Sequence, residues 1–125
     1  MFTPSGAFSG FSIDDAEAAK EFYGQTLGLR VTQLASGFLN LHLESGAVVL
    51  AYVKENHEPA SFTILNFEVD DVDAAVDDLN ARGVDTNIYG GDIPADSRGV
   101  MKGNGPDIAW FRDPAGNVLS VLAAG

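Results

Sequence analysis

The chain has 125 residues, 46% of them hydrophobic and 20% charged, the size and balance of one globular domain that buries a core without crosslinks. It contains no cysteine, which excludes disulfides, thiolate metal sites and a cysteine nucleophile. Seven Lys and Arg stand against 18 Asp and Glu, a formal charge of -11, so the surface repels nucleic-acid phosphates and anionic lipid.

Met1 to Gly10 lacks the basic-then-apolar pattern of a secretion signal, and no apolar stretch is long enough to span a bilayer. The expectation is a cytoplasmic protein with neither a nucleic-acid nor a membrane partner. The acidity serves solubility and, as a sharper reading, attracts a cationic ligand.

In chain order, Phe11 and Ile13 share one face of a first strand. Asp15 then stands as helix N-cap, its carboxylate placed to accept from free first-turn amides. Ala18, Ala19, Phe22, Tyr23 and Leu27 recur at helical spacing, and Gly28 supplies a left-handed stop. Strands follow over 29–34, 38–44 and 48–53, with Ser45-Gly46 turning the last two. Asn56 to Ala60, with Pro59, is a link.

The pattern then repeats. Phe11-Ser-Ile-Asp-Asp-Ala-Glu-Ala-Ala19 matches Phe67-Glu-Val-Asp-Asp-Val-Asp-Ala-Ala75 at five of nine positions. Leu65, Phe67 and Val69 form a strand face, Asp71 the cap, Val72, Ala75, Val76 and Leu79 the helix stripe, and Gly83 the stop. Strands are expected over 85–89, 108–112 and 117–122, with Asp113-Pro114-Ala115-Gly116-Asn117 as the turn between the last two. Gly90 to Pro106 breaks the symmetry with five glycines and two prolines. It reads as a loop over a site or as a flexible surface excursion. The fold class is therefore α+β, two tandem βαβββ modules (about 1–56 and 60–125) in a single domain over 1–125.

These residues, with Phe22-Tyr23 and Leu27-Gly28-Leu29, resemble the vicinal oxygen chelate superfamily, the glyoxalase/bleomycin-resistance/dioxygenase fold. The resemblance covers both halves and specifies fold rather than activity. It implies curved sheets around a shared cavity, homodimers, and in the enzymes a divalent metal held by four strands. The family's ligand positions correspond here to Phe8, Ile64, Ser120 and a residue near Val49 or Ala51. Three of these offer no donor, and Ser120 alone is a poor ligand. The expectation is a metal-free member without a cofactor.

Alternation assigns a cavity lining of Phe8, Gly10, Ser12, Ile64, Asn66, Glu68, Val118 and Ser120, with Asn40, His42 and Glu44 opposite Leu39, Leu41 and Leu43. Trp110 lies beside the long loop and reaches toward the mouth. The ligand-binding candidates are Phe8, Ser12, Asn40, His42, Ile64, Asn66, Glu68, Trp110 and Ser120, a mostly apolar set with a few polar handles. Glu68 is either a carboxylate seeking a partner or simply solvated. His42 reads as a general base, an anchor or an ordinary polar strand residue, and Trp110 as a stacking surface or core. His57 reads as a solvated linker residue, and Phe22 and Tyr23 as packing. The Asp pairs lack the calcium-binding loop that such ligands need.

The leading expectation is a metal-independent small-molecule-binding protein, sequestering an antibiotic or an aromatic or cationic metabolite. The alternative is a lyase-, isomerase- or dioxygenase-like enzyme with an unconventional site, using Glu68 or His42 for proton transfer. A third class is a structural or regulatory partner with no ligand.

Overall fold

The computed structural model describes residues 1–124. The chain divides into two compact units, Met1–Glu58 and Pro59–Gly125. The first carries β1 (Gly10–Ile13), α1 (Ala16–Lys20), a π-helical continuation (Glu21–Thr26), β2 (Arg30–Gln33), β3 (Leu39–His42) and β4 (Val48–Val53). The second carries β5 (Thr63–Val69), α2 (Val72–Ala81), a short 3-10 turn (Gly90–Asp92), β6 (Ile108–Arg112) and β7 (Val118–Ala123). Two βαβββ-like modules thus build two mixed sheets, the α+β architecture expected from the repeat. Among the described residues no helix is long and apolar enough to cross a membrane.

Both helices start as the Asp pairs dictate. Asp15 Oδ1 accepts from the amides of Glu17 (3.0 Å) and Ala18 (3.1 Å), and Asp71 Oδ1 from Ala74 (3.1 Å). Each cap satisfies first-turn donors that the helix cannot. Both helices are followed by glycines at φ +80° (Gly28) and +84° (Gly83), where any side chain would be strained. The apolar spacing of Ala18 to Leu27 is helical as expected, but its second half widens to π geometry, with Leu27 N–H on the Phe22 carbonyl at 2.8 Å.

The first sheet runs β1-β4-β3-β2, β1 parallel to β4 and the rest antiparallel. One face holds Phe11, Ile13, Leu39, Leu41, Val49 and Ala51, all buried. Tyr23 of the π segment, fully buried, lies 5.9 Å ring to ring from Phe11. The second sheet runs β5-β7-β6, parallel then antiparallel. Leu119, Val121, Ala109 and Phe111 are its buried face, with Phe67 stacked at 6.3 Å on Phe111.

Several expectations need correction. The strand expected over 85–89 is one bridge between Asn87 and Trp110, because side chains take over the backbone partners: Asp85 Oδ1 accepts from Asn87 N–H (2.9 Å), and the Thr86 hydroxyl donates to the Arg98 carbonyl (2.7 Å). The second sheet consequently has three strands. β3 stops at His42, because Leu43 already exchanges backbone bonds with Ala47 and Gly46 in the hairpin turn, so Leu43 and Glu44 lie outside the alternation. Val49 and Ala51, assigned to the position of a family metal ligand, belong to the buried face, in register with Leu41 and Leu39. The opposite face carries Val48, Leu50 and Tyr52 instead.

The segment from Gly90 to Pro106 is not a loose excursion. Val100 is buried, Met101 bridges both Ala95 and Ile108, and the Asp96 carboxylate accepts from the amides of Arg98 (2.9 Å) and Val100 (3.0 Å). These bonds satisfy backbone donors that turns and loops otherwise leave to water.

Candidate functional site

Each sheet has a face turned away from its helix, and most of the candidate side chains stand there. On the first sheet, register places Ser12 beside Tyr52, Gly10 beside Leu50, Asn40 between Leu50 and Thr32, and His42 between Val48 and Arg30. Two hydroxyl–imidazole pairs form on this face. Ser12 Oγ lies 2.6 Å from His57 Nδ1, and Thr32 Oγ1 lies 2.9 Å from His42 Nε2. His57 is therefore half-buried and anchored, not a solvated linker residue. Phe38 adds an aromatic wall, its ring 6.0 Å from Tyr52.

On the second sheet, register puts Asn66 beside Ser120, Ser120 beside Trp110, and Glu68 beside Leu122. Ser120, fully buried, donates its hydroxyl to Asn66 Oδ1 at 2.5 Å. Trp110 Nε1–H donates to Thr63 Oγ1 at 3.1 Å, which fixes the indole plane, and the Tyr89 ring meets it at 5.4 Å and 72°. That is the edge-to-face geometry favoured by ring quadrupoles. Tyr89 arrives from the segment just before Gly90.

The remaining candidates are less closely engaged. Glu68 is exposed, with its carboxylate in water. Ile64 sits at a register shift between Thr63 and Leu65 and pairs with no residue of β7. Phe8 precedes β1 and is three-quarters exposed, beside a shallow groove shared with Ala7, Ser9, Gly46, Ala47, Val48 and Val49.

Chemically, the first sheet's open face offers hydroxyls and two imidazoles, and the second sheet's offers a hydroxyl, an amide and aromatic rings. Among the described residues no three His, Asp or Glu side chains converge as a group able to hold a metal ion.

Ion pairs gather where the 96–102 segment meets α2. Arg98 contacts Asp73 (2.5 Å), Asp77 (2.8 Å) and Asp96 (3.3 Å), and Lys102 contacts Asp73 (2.9 Å). Hydrogen bonds from Lys102 and then Arg98 hold the Asp73 carboxyl below its usual 3.8. The Val100 amide does most to lower Asp96. The same bonds raise Arg98 and Lys102.

Sequence reasoning missed Thr32, Thr63, Tyr52, Tyr89 and the anchoring of His57. Thr32 and Tyr52 could have been found by carrying the alternation of β3 across to β2 and β4. Tyr89 and His57 had no periodic signal, since their positions depend on the path of irregular chain.

The sequence matches the profile of the Glyoxalase/Bleomycin resistance protein/Dioxygenase superfamily over residues 10–121. No curated protein matches it. Among solved structures, an antibiotic binding protein from Streptomyces sp. CB03234, TnmS3, is similar at 25% identity and TM-score 0.67, over 99% of this chain and 100% of that one. A member of the same superfamily from Sphaerobacter thermophilus is 20% identical at TM-score 0.71, over 95% and 98%. A hypothetical protein from S. aureus is 15% identical at TM-score 0.71, over 98% and 96%.

Proposed function

We propose that this chain, which belongs to the glyoxalase/bleomycin resistance protein/dioxygenase superfamily, is a metal-independent protein that binds and sequesters a small, planar, cationic compound of the antibiotic or aromatic-metabolite kind. The observation that carries the reading is the Trp110–Tyr89 pair, half-buried on a helix-free sheet face with its indole N–H already committed to Thr63. An aromatic surface whose polar atom is satisfied gains from stacking and loses no hydrogen bond. A net charge of -11 favours a cation at the same surface. The similarity to an antibiotic binding protein supports this direction. The proposed metal independence draws on donor chemistry, since Phe8 and Ile64, which correspond by resemblance to two of the family's ligand positions, carry no donor atom in their side chains.

Equilibrium dialysis against a panel of cationic glycopeptides and aromatic cations tests the reading. Saturable binding of an aromatic cation is the expected result; none at millimolar ligand would refute it.

A second reading, an enzyme using an unconventional site, draws on the short Ser12–His57 pair, in which the imidazole can hold or move the hydroxyl proton. Turnover abolished by His57→Gln with ligand binding retained would select it.

A further inference from the structure

The segment that supplies Tyr89 is fastened to α2 at two places. Near its start, Asn80 Nδ2–H donates to the Val84 carbonyl (3.0 Å) and to Thr86 Oγ1 (2.9 Å), and the Thr86 hydroxyl passes the connection on to the Arg98 carbonyl (2.7 Å). Near its end, the Arg98 guanidinium bridges Asp73 and Asp77 on α2 and Asp96 on the segment itself. Asn87 Nδ2–H adds a bond to the Ser97 carbonyl at 3.3 Å. The strap therefore closes on itself between 86–87 and 96–99, and what it holds out between these points includes Tyr89.

The closure leaves little slack. Gly99 has φ +87°, and a Cβ there would stand 2.0 Å from the Thr86 carbonyl oxygen. The two backbones approach more closely than any side chain allows. Asn87, two residues before Tyr89, is bridged to Trp110 itself. An unbroken series of contacts thus joins Arg98 to the Tyr89–Trp110 pair. The planar guanidinium suits this post, since its fork addresses several carboxylates at once where an ammonium is a point charge.

We propose that Arg98 is a positioning residue: by fastening the strap to the acidic side of α2, it holds Tyr89 edge-on to Trp110 and so sets the aromatic surface that receives a planar ligand. The ligand part rests on the function proposed above; the positioning part does not. Arg98 touches neither ring and acts only through the strap.

Trp110 is the single tryptophan of the chain, so its fluorescence reports this pair without labelling. In Arg98→Met, which keeps an apolar stem and removes the fork, indole emission shifts to longer wavelength and acrylamide quenching increases. Proflavine, a planar aromatic cation, binds about two- to tenfold more weakly, the factor that one aromatic contact of this kind carries. Arg98→Lys gives an intermediate response and guards against a variant that fails to fold. Asp78→Asn, which breaks the exposed Arg82–Asp78 pair on the same helix, leaves both readouts unchanged. Raised salt reproduces the emission shift in the unaltered protein, because half-exposed ion pairs are screened. Unchanged emission in folded Arg98→Met and Arg98→Lys would overturn the inference alone. Absence of proflavine binding to the unaltered protein, with emission still responding to Arg98→Met, would overturn the ligand reading on which its second half rests.

Discussion

Asp113→Ala is the substitution whose cost the structure defines best. Asp113 is 5% exposed and Asn117 3%, and the Asp113 carboxylate organises the β6–β7 turn. Its Oδ1 accepts from the amides of Ala115 (3.0 Å) and Asn117 (2.9 Å), and its Oδ2 from Asn117 Nδ2–H (3.0 Å). A hydrogen bond to a charged group contributes about 1.5–3 kcal/mol, but three to one carboxylate do not add in full. Ala115 is half-buried, so water replaces part of its bond, whereas Asn117 is too deep for that. The expected loss is about 3–4 kcal/mol, most of it from stranding the Asn117 amide. For a chain of this size that lowers Tm by roughly 12–16 °C. Urea denaturation followed by circular dichroism gives the free energy, and Trp110 emission gives the local effect, because this turn sets the Trp110–Ser120 register. Asp113→Asn, which keeps one acceptor oxygen, should lose about half as much. A loss below about 1 kcal/mol for Asp113→Ala, the size of one ordinary neutral hydrogen bond, would refute the reasoning.

Three further outcomes are expected. Gly99→Ala adds a methyl group where the Thr86 carbonyl oxygen stands 2.0 Å away and should cost more than the roughly 1–2 kcal/mol of left-handed strain alone; stability equal to the parent's in urea would contradict that geometry. Asp73 and Asp96 are held below 3.8 in the folded chain, so their contribution is complete above that value and is lost as pH falls through the folded one. Trp110 emission should therefore hold from neutral pH down to about 4 and shift below it, and Asp73→Asn should show part of that shift already at neutral pH. Ser12→Ala removes the hydroxyl that lies 2.6 Å from His57 Nδ1. It should cost under about 1 kcal/mol in thermal unfolding.

The scaffold was legible because its signals are local. Asp15 and Asp71 cap helices through bonds that span two or three residues, and Leu39 and Leu41 face inward because a strand alternates every residue. Of the candidate side chains, only the strand positions were legible: Ser12, Asn40, Asn66 and Trp110 stand on the sheet faces turned away from the helices, and Ser120, on the same face as Trp110, is fully buried. Legibility failed where irregular chain decides. Nothing periodic announces that His57 turns back to Ser12 across 45 positions, or that a glycine-rich segment is tied down by Arg98 through carboxylates as many as 25 positions away. The misplaced Val49 and Ala51 show the other weakness, since shifting a strand by one residue exchanges its faces. The five-residue identity between the halves could not reveal that the second module replaces a strand with a strap, because the departure begins after Gly83, beyond the repeat.

The central claim is that a planar cation is bound by side chains alone. It is tested most directly by titrating proflavine into the metal-stripped protein, with and without EDTA, and following Trp110 emission. Saturable one-to-one quenching with the same dissociation constant in both titrations is the predicted result. Binding abolished by EDTA and restored by a divalent metal would contradict it.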